Sequence, residues 1–399
     1  MRRFAFFNLH FALAVLAHAI VPQLAWADAP LVVPTDGESF RAELSAVDAD
    51  WHVTFRTGQR QRTVPAADLL CWGQCPEQGR GGALVLADGS LVAAEVVAAD
   101  RKTLTADSDV FGTLKLPLES LSGIVFHQSS SRADRDKLLD RLARAAGQSD
   151  RLLLDNGDEL SGLVASIADD TVKLQTDAGP VDVKTERVTA LVFNPTLKRK
   201  PAAKGTPLQV WVGLSDGSRL LATQLLVQGD SVSITAVGQP LAASQRDLVF
   251  LQPLGGRAVY LSDLKPAEYR QTPYLDLPWP YQADRNVTGG LLRCGGRLYL
   301  KGLGVHSAAR LVYTLDQLYK RFDAELGIDD STGGQGSVQF HVLVDGQEKF
   351  TSPILRGGNP PMPVSVDVTG AKKLELVVDY ADRADVLDHA DWLNARLTK

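Results

Sequence analysis

The chain has 399 residues, 45% of them hydrophobic and 22% charged, with a formal net charge of −5. That composition excludes a disordered or collagen-like chain and fits a soluble protein of two or more domains. The acidic balance argues against a nucleic-acid partner, whose affinity would rest on neutralising phosphates.

Residues 1–27 read as a secretory signal peptide. Arg2 and Arg3 form a positive start, an apolar stretch runs from Phe4 to Val21, Pro22 ends it, and Ala25-Trp26-Ala27 offers a small-x-small cleavage site. Asn8, His10 and His18 interrupt the apolar run, which is short for a membrane span. Without this segment 40 basic and 47 acidic side chains remain, a net of −7. No later stretch is apolar for long enough to cross a bilayer, so the expected location is secreted, periplasmic or cell envelope. Export favours a small disulfide loop between Cys71 and Cys75 in "CWGQC". A metal reading would need two more ligands nearby, and Cys294 reads as a buried thiol.

From about residue 33 to 253 one small β unit recurs four times. Its turns are "PTDGESF", "VLADGSL", "LLDNGDEL" and "GLSDGSRL", with turn glycines Gly37, Gly89, Gly157 and Gly217. Three residues on stand Phe40, Val92, Leu160 and Leu220; five on stand the small residues Ala42, Ala94, Gly162 and Ala222. Each copy closes on an apolar run: "DLLCW", "GIVF", "ALVF" and "DLVFL". Agreement at so many offsets marks four diverged repeats, at 28–80, 81–130, 150–197 and 208–254. Steps of two between apolar positions and Asp-Gly or Asn-Gly turns predict short antiparallel strands. The order of strand, turn, bent strand and closing strand resembles an Sm-like barrel. Sm proteins bind RNA, and the acidic charge argues against carrying that role over. The units are expected to act as spacer or assembly surface.

Two segments interrupt the repeats. Residues 131–149 hold a helix that places Leu138, Leu139, Leu142 and Ala146 on one face, with Ser131 as N-cap, Gly147 as stop and a solvated charged face. Residues 198–207, "KRKPAAKGTP", read as a flexible linker. "GLSDG" at 213–217 satisfies the G-x-S-x-G pattern of a hydrolase nucleophile elbow, but an elbow needs a helix after it. A strand pattern follows instead, so Ser215 reads as a turn residue.

From residue 255 onward a loop rich in proline, with Tyr274, Trp279 and Tyr281, leads into seven strand candidates. These are "RLYLKG", "ARLVYTLD", "RFDAELGID", "SVQFHVLVDG", "VSVDVTG", "KKLELVVDY" and "WLNARLT". Turn signals at Asp345-Gly346 and Thr369-Gly370 point to an antiparallel sandwich, read as a jelly roll. At "YLSDL" (260–264), "LYLKGLGVHS" (298–307), "YKRFDAELGIDD" (319–330), "GSVQFHVLVDG" (336–346), "VDVTGAKKLELVV" (366–378) and "DHADWLNARL" (388–397) the chain resembles the NPCBM family. These carbohydrate-binding modules are related to modules attached to family-98 glycoside hydrolases. The resemblance covers 255–399 and implies a galactose-binding-like jelly-roll β-sandwich of the exported, sugar-recognising kind. The expected fold class is therefore all-β: four barrel-like repeats, one amphipathic linker helix and the sandwich.

Sugar recognition needs an aromatic face against the C–H side of a pyranose, and fixed polar groups aimed at hydroxyls. His306, Asp388, His389, Asp391, Trp392 and Asn394 supply those types and are the candidate carbohydrate-binding residues. Gly302 and Gly304 are expected to turn the backbone tightly before His306. Strict alternation along the last strand puts Trp392, Asn394 and Arg396 on one face, opposite Leu393, Ala395 and Leu397. For each of these residues a structural role competes with the ligand role: a Trp beside a strand packs, and a His pins a loop. In "GIDDSTGGQGS", Asp329 and Asp330 could contribute to a structural calcium, though the full oxygen set is missing; no other cofactor is implied. His52, His127, His306, His341 and His389 sit in no triad or metal spacing, so no catalytic residue is assigned. The expected function is an exported, non-catalytic glycan- or polysaccharide-binding protein. The alternatives are a cell-envelope assembly protein that binds other envelope proteins, and a glycoside hydrolase accessory or hydrolase.

Overall fold

The computed structural model describes residues 29–198, 208–274 and 278–399. The signal-peptide reading at 1–27 and the 198–207 linker, apart from Lys198, lie outside the described residues. Between Leu31 and Leu254 the chain makes one 22-stranded antiparallel sheet system that curls into four similar runs of strands. In the third run the order is Asp150–Leu154, Glu159–Ala168, Thr171–Thr176, Gly179–Lys184, a 3₁₀ turn at Thr185–Arg187, and Val188–Val192. The same order, 3₁₀ turn included, recurs in the other three. The turn glycines explain the shared geometry: Gly37, Gly89, Gly157 and Gly217 have φ of 89°, 88°, 88° and 91°, a left-handed conformation that a side chain at that position would strain.

The closing strands decide how the runs associate. Leu69–Gly73 pairs with Leu248–Leu254, and Leu121–Val125 with Val188–Val192. The first run therefore joins the fourth and the second joins the third, which covers sheet edges that would otherwise be open. Second and fourth are tied by a reciprocal exchange. Ser218 Oγ accepts from the Ala93 amide at 2.9 Å, and Ser90 Oγ accepts from the Leu221 amide at 2.8 Å. Ser215 sits in a turn and is followed by the strand Arg219–Gln228, not a helix, so no nucleophile elbow forms.

In the C-terminal part all seven predicted strands form. One sheet runs Gln282–Ala283, Gly302–His306, His389–Thr398, Arg321–Ile328, Met362–Asp367. The facing sheet runs Glu268–Gln271, Ala309–Thr314, Lys373–Tyr380, Ser337–Val344, Gln347–Thr351. Phe322, Phe340, Leu376 and Trp392 fill the space between them. A short hairpin, Leu292–Cys294 with Arg297–Tyr299, lies over the outer face of the first sheet, and Cys294 packs there with Leu292, Tyr299 and Leu393.

The helix spans Arg132–Ala143, with Ser131 capping the Asp134 amide. Leu142 is fully buried against Gly123. Its charged face corrects the sequence reading, because it is not simply solvated. Asp136 binds the Arg293 guanidinium through both oxygens (2.5 and 3.1 Å) and takes the Leu291 amide, while Asp140 pairs with Arg285. Arg293 also forks onto Glu77 at 2.6 and 3.0 Å. Arg257 and Arg321 both reach Asp36. The sandwich is thus bolted to the repeats by charge pairs drawn from four separate sandwich residues.

The disulfide expectation is also corrected. Cys71 and Cys75 carry free thiols, and they lie with Phe250 and Leu298 in an apolar patch between the repeats and the sandwich. Burial pushes both thiols up, Cys71 to about 12 and Cys75 to about 11.

Candidate functional site

The strand Gly302–His306 runs antiparallel to His389–Thr398 with His306 directly opposite His389. The two histidines, far apart in sequence, become neighbours at one end of the sandwich. Gly302 and Gly304 do not turn the chain there, which corrects the sequence reading; they belong to the strand. Their role is close approach: a Cβ at Gly304 would collide with the Arg285–Asn286 backbone laid across it, and one at Gly302 would meet the Trp392 carbonyl at 2.7 Å.

Trp279 completes the corner. Its indole stacks on the His306 ring at 4.8 Å with 10° between planes and lies 6.0 Å from His389; the two imidazoles are 5.9 Å apart. The loop carrying it is fixed to the facing sheet. The Trp279 amide donates to Gln271 Oε1 at 3.1 Å, and Tyr269 Oη donates to the Trp279 carbonyl. Gln271 in turn donates to the Ser307 carbonyl. Trp279 stays half-buried, while His306 and His389 are 3% and 8% exposed. Sequence reasoning noted this tryptophan only as part of an aromatic, proline-rich stretch; its pairing with "GVHS" arises from two sheets meeting in space.

Burial lowers the His306 pKa to about 4, with His389 adding to the effect, and burial likewise lowers His389. Both rings are therefore neutral at physiological pH, each with one N–H donor and one acceptor nitrogen. Asp388 accepts the Ser337 amide at 2.8 Å; burial pushes it up to about 6, against the pull of that amide and the Ser307 hydroxyl. A carboxyl held above its unfolded value favours the fold while protonated, and that advantage fades as pH rises through 6. Asp388→Asn removes the cost of the buried charge. The variant should gain stability on the wild type as pH rises from 4 to 7, by up to roughly 3 kcal/mol. Thermal melts across that range check it, and a constant difference would refute the linkage.

The other sequence candidates are placed elsewhere. Trp392 is 0% exposed in the sandwich core, edge-on to Phe340 at 4.9 Å, so it cannot stack on a ligand. The reason is a β-bulge. Arg321–Ile328 and His389–Thr398 slip register between Asp323 and Glu325, and Asn394 takes a φ of 50°. The alternation resets there, so Ala390, Trp392, Ala395 and Leu397 all face the core. Asn394 lies at the junction with the repeats, accepting from Gln252 at 3.3 Å. Asp391 is fully buried on the outer face between Gly304 and Gly327, and burial together with neighbouring Asp329 pushes its pKa well above the usual carboxylate range.

Asp329 accepts from Asn286 Nδ2 and from the Ser331 and Arg293 amides; Asp330 accepts from the Gly295 and Gly296 amides. These carboxylates brace the hairpin against the loop, and Asp329 also hydrogen-bonds Asp391. Among the described residues no group of three or more His, Cys, Asp or Glu could hold a metal. His341 is a face residue, paired with Glu348 at 2.6 Å. The corner thus offers an aromatic plane and fixed, neutral hydrogen-bonding rings, with the Ser307 hydroxyl 3.5 Å from His306 Nδ1.

Residues 257–398 match the NPCBM/NEW2 domain family. Over 108 residues the chain is 36% identical to a curated relative from Renibacterium salmoninarum whose name refers to endo-alpha-N-acetylgalactosaminidase activity. Over 115 residues it is 31% identical to Alpha-1,3-galactosidase B from Akkermansia muciniphila. These alignments cover 27% and 28% of this chain but span only 7% and 14% of the relatives' own lengths. Among solved structures, a CBM51 module from Clostridium perfringens GH95 in complex with methyl-galactose is 28% identical, with a TM-score of 0.33, covering 35% of this chain and 99% of that one. Residues 257–398 of this chain are an NPCBM/NEW2 domain.

Proposed function

We propose that the chain is an exported, non-catalytic glycan-binding protein that recognises sugar at the Trp279–His306–His389 corner, with the repeats as a rigid mount. The observation that carries this reading is the corner itself, a half-buried indole braced from the facing sheet beside two neutral imidazoles, within the NPCBM/NEW2 domain. The indole supplies the stacking plane, and each imidazole can offer its Nε2 to one hydroxyl, since His306 Nδ1 lies against the Ser307 hydroxyl and His389 Nδ1 is buried. The curated relatives are named for enzymes acting on galactose and N-acetylgalactosamine linkages, which makes glycans ending in those sugars the first ligands to try. The aligned part is a small share of each relative, which supports a binding module rather than the hydrolase.

A glycan array of the full chain, followed by titration of any hit, tests this. Trp279→Ala should cost tenfold or more in affinity while leaving the melting temperature near that of the wild type. Affinity should stay level from pH 8 to 7, where both lowered imidazoles are neutral. Absence of binding to every glycan, or full binding by folded Trp279→Ala, would remove the corner from consideration. It would then favour an envelope assembly role, for which the charge-bolted mount is the supporting feature.

A further inference from the structure

A sizeable cavity lies away from that corner. It is a cleft of about 650 Å³ between the first run of repeat strands and the sandwich. That volume is within the range of small-molecule sites, and module junctions are where such sites concentrate. Its walls are aliphatic: Leu31, Val33 and Leu70 on the repeat side, Leu300, Pro363 and Val364 on the sandwich side.

The polar groups in it come from both sides. Glu325 accepts from Tyr299 Oη at 3.1 Å through one oxygen, and its second takes no hydrogen bond among the described residues. Arg396 donates to the Asn394 carbonyl at 3.1 Å and stands 3.7 Å from Asp323, but its Nε–H is buried without a partner. Gln252 links the fourth repeat run to Tyr260 and Asn394 across the junction. Arg297 completes the set. Two carboxylates face two guanidiniums, so the cleft selects no net charge. What it presents is a collection of planar donors and acceptors on an aliphatic floor. A neutral ligand that donates and accepts at neighbouring positions would complement the partnerless carboxylate oxygen and guanidinium N–H. Vicinal hydroxyls on a sugar ring do this, while the ring's C–H surface covers the aliphatic wall.

We infer that this cleft is a second saccharide site, built jointly by the repeats and the sandwich and separate from the corner. The bulge at Asn394 is what creates it, since it turns Asn394 and Arg396 toward the repeats and away from the core.

Saturation-transfer NMR of galactose, N-acetylgalactosamine, glucose and mannose against the full chain tests the site, using wild type, Trp279→Ala, Glu325→Gln and the double variant. The expected result is that at least one sugar keeps its signal with Trp279→Ala and loses at least threefold of it in the double variant. Signal lost with Trp279→Ala alone overturns the cleft and leaves the corner standing. Signal unaffected by Trp279→Ala but lost with Glu325→Gln keeps the cleft and overturns the corner. No transfer from any sugar to wild type overturns both. Glu325→Gln keeps an acceptor for Tyr299, so a melting temperature equal to that of the wild type is expected; Arg396→Lys, which removes the Nε–H fork, serves as the second variant and should weaken the same signal.

Discussion

Trp392→Ala will destabilise the protein by about 3–5 kcal/mol, among the largest single-residue losses expected in the chain. The indole is wholly enclosed, edge-on to Phe340 at 4.9 Å and 6.2 Å from Phe322, at the centre of the sandwich. Its removal leaves a cavity that strands on two facing sheets cannot close without losing register. Urea unfolding should show the loss as a lower midpoint with little change in slope. Trp392→Phe should recover much of the stability and retain glycan binding, because the residue contacts no ligand. If folded Trp392→Phe lost binding while matching the wild type in stability, the core assignment would be wrong. The same experiment separates the two tryptophans, since Trp279 should behave in the opposite way.

Arg293→Ala should cost a similar amount, about 3–5 kcal/mol, for an electrostatic reason. Arg293 is 8% exposed, and its guanidinium is held by forks from Glu77 and Asp136. Truncation would leave two carboxylates, one of them deeply buried, facing each other without a cation. Arg293→Lys should recover only part of the loss, since one ammonium cannot fill two forks. Although burial pushes Glu77 upward, Arg293 holds it below its ordinary value. That pairing therefore adds stability above the usual carboxylate range and loses it as pH falls through the lowered value. The gap between wild type and Arg293→Ala should accordingly narrow below pH 4, as measured by thermal melts. A gap that did not change with pH would show that the loss comes from packing rather than charge.

Much of the local structure was legible in the residues themselves. The four Asp-Gly or Asn-Gly turns each required a left-handed glycine, and the backbone has it at Gly37, Gly89, Gly157 and Gly217. The seven sandwich strands read from the sequence announced themselves by alternation and turn residues, while the short strands Glu268–Gln271, Gln282–Ala283 and Gln347–Thr351 did not; "GVHS" and "DHADW" do meet, through the His306–His389 register. Alternation then failed at one residue. Asn394 absorbs a bulge, so the last strand keeps Trp392 and Ala395 on the same face, and a tryptophan assigned to a ligand belongs to the core.

The sequence by itself determined features held by interactions a few residues apart: turn conformation, strand periodicity, the cap at Ser131, and the acidic charge that disfavours nucleic acid. Tertiary structure alone decided which strands lie side by side and what covers each face. That is why the Trp279 stack, the Arg293 bolts joining residues 157 and 216 positions apart, and the cleft were invisible in one dimension. Such contacts depend on the relative placement of whole sheets, and that placement comes from the summed burial of many side chains rather than from any local pattern.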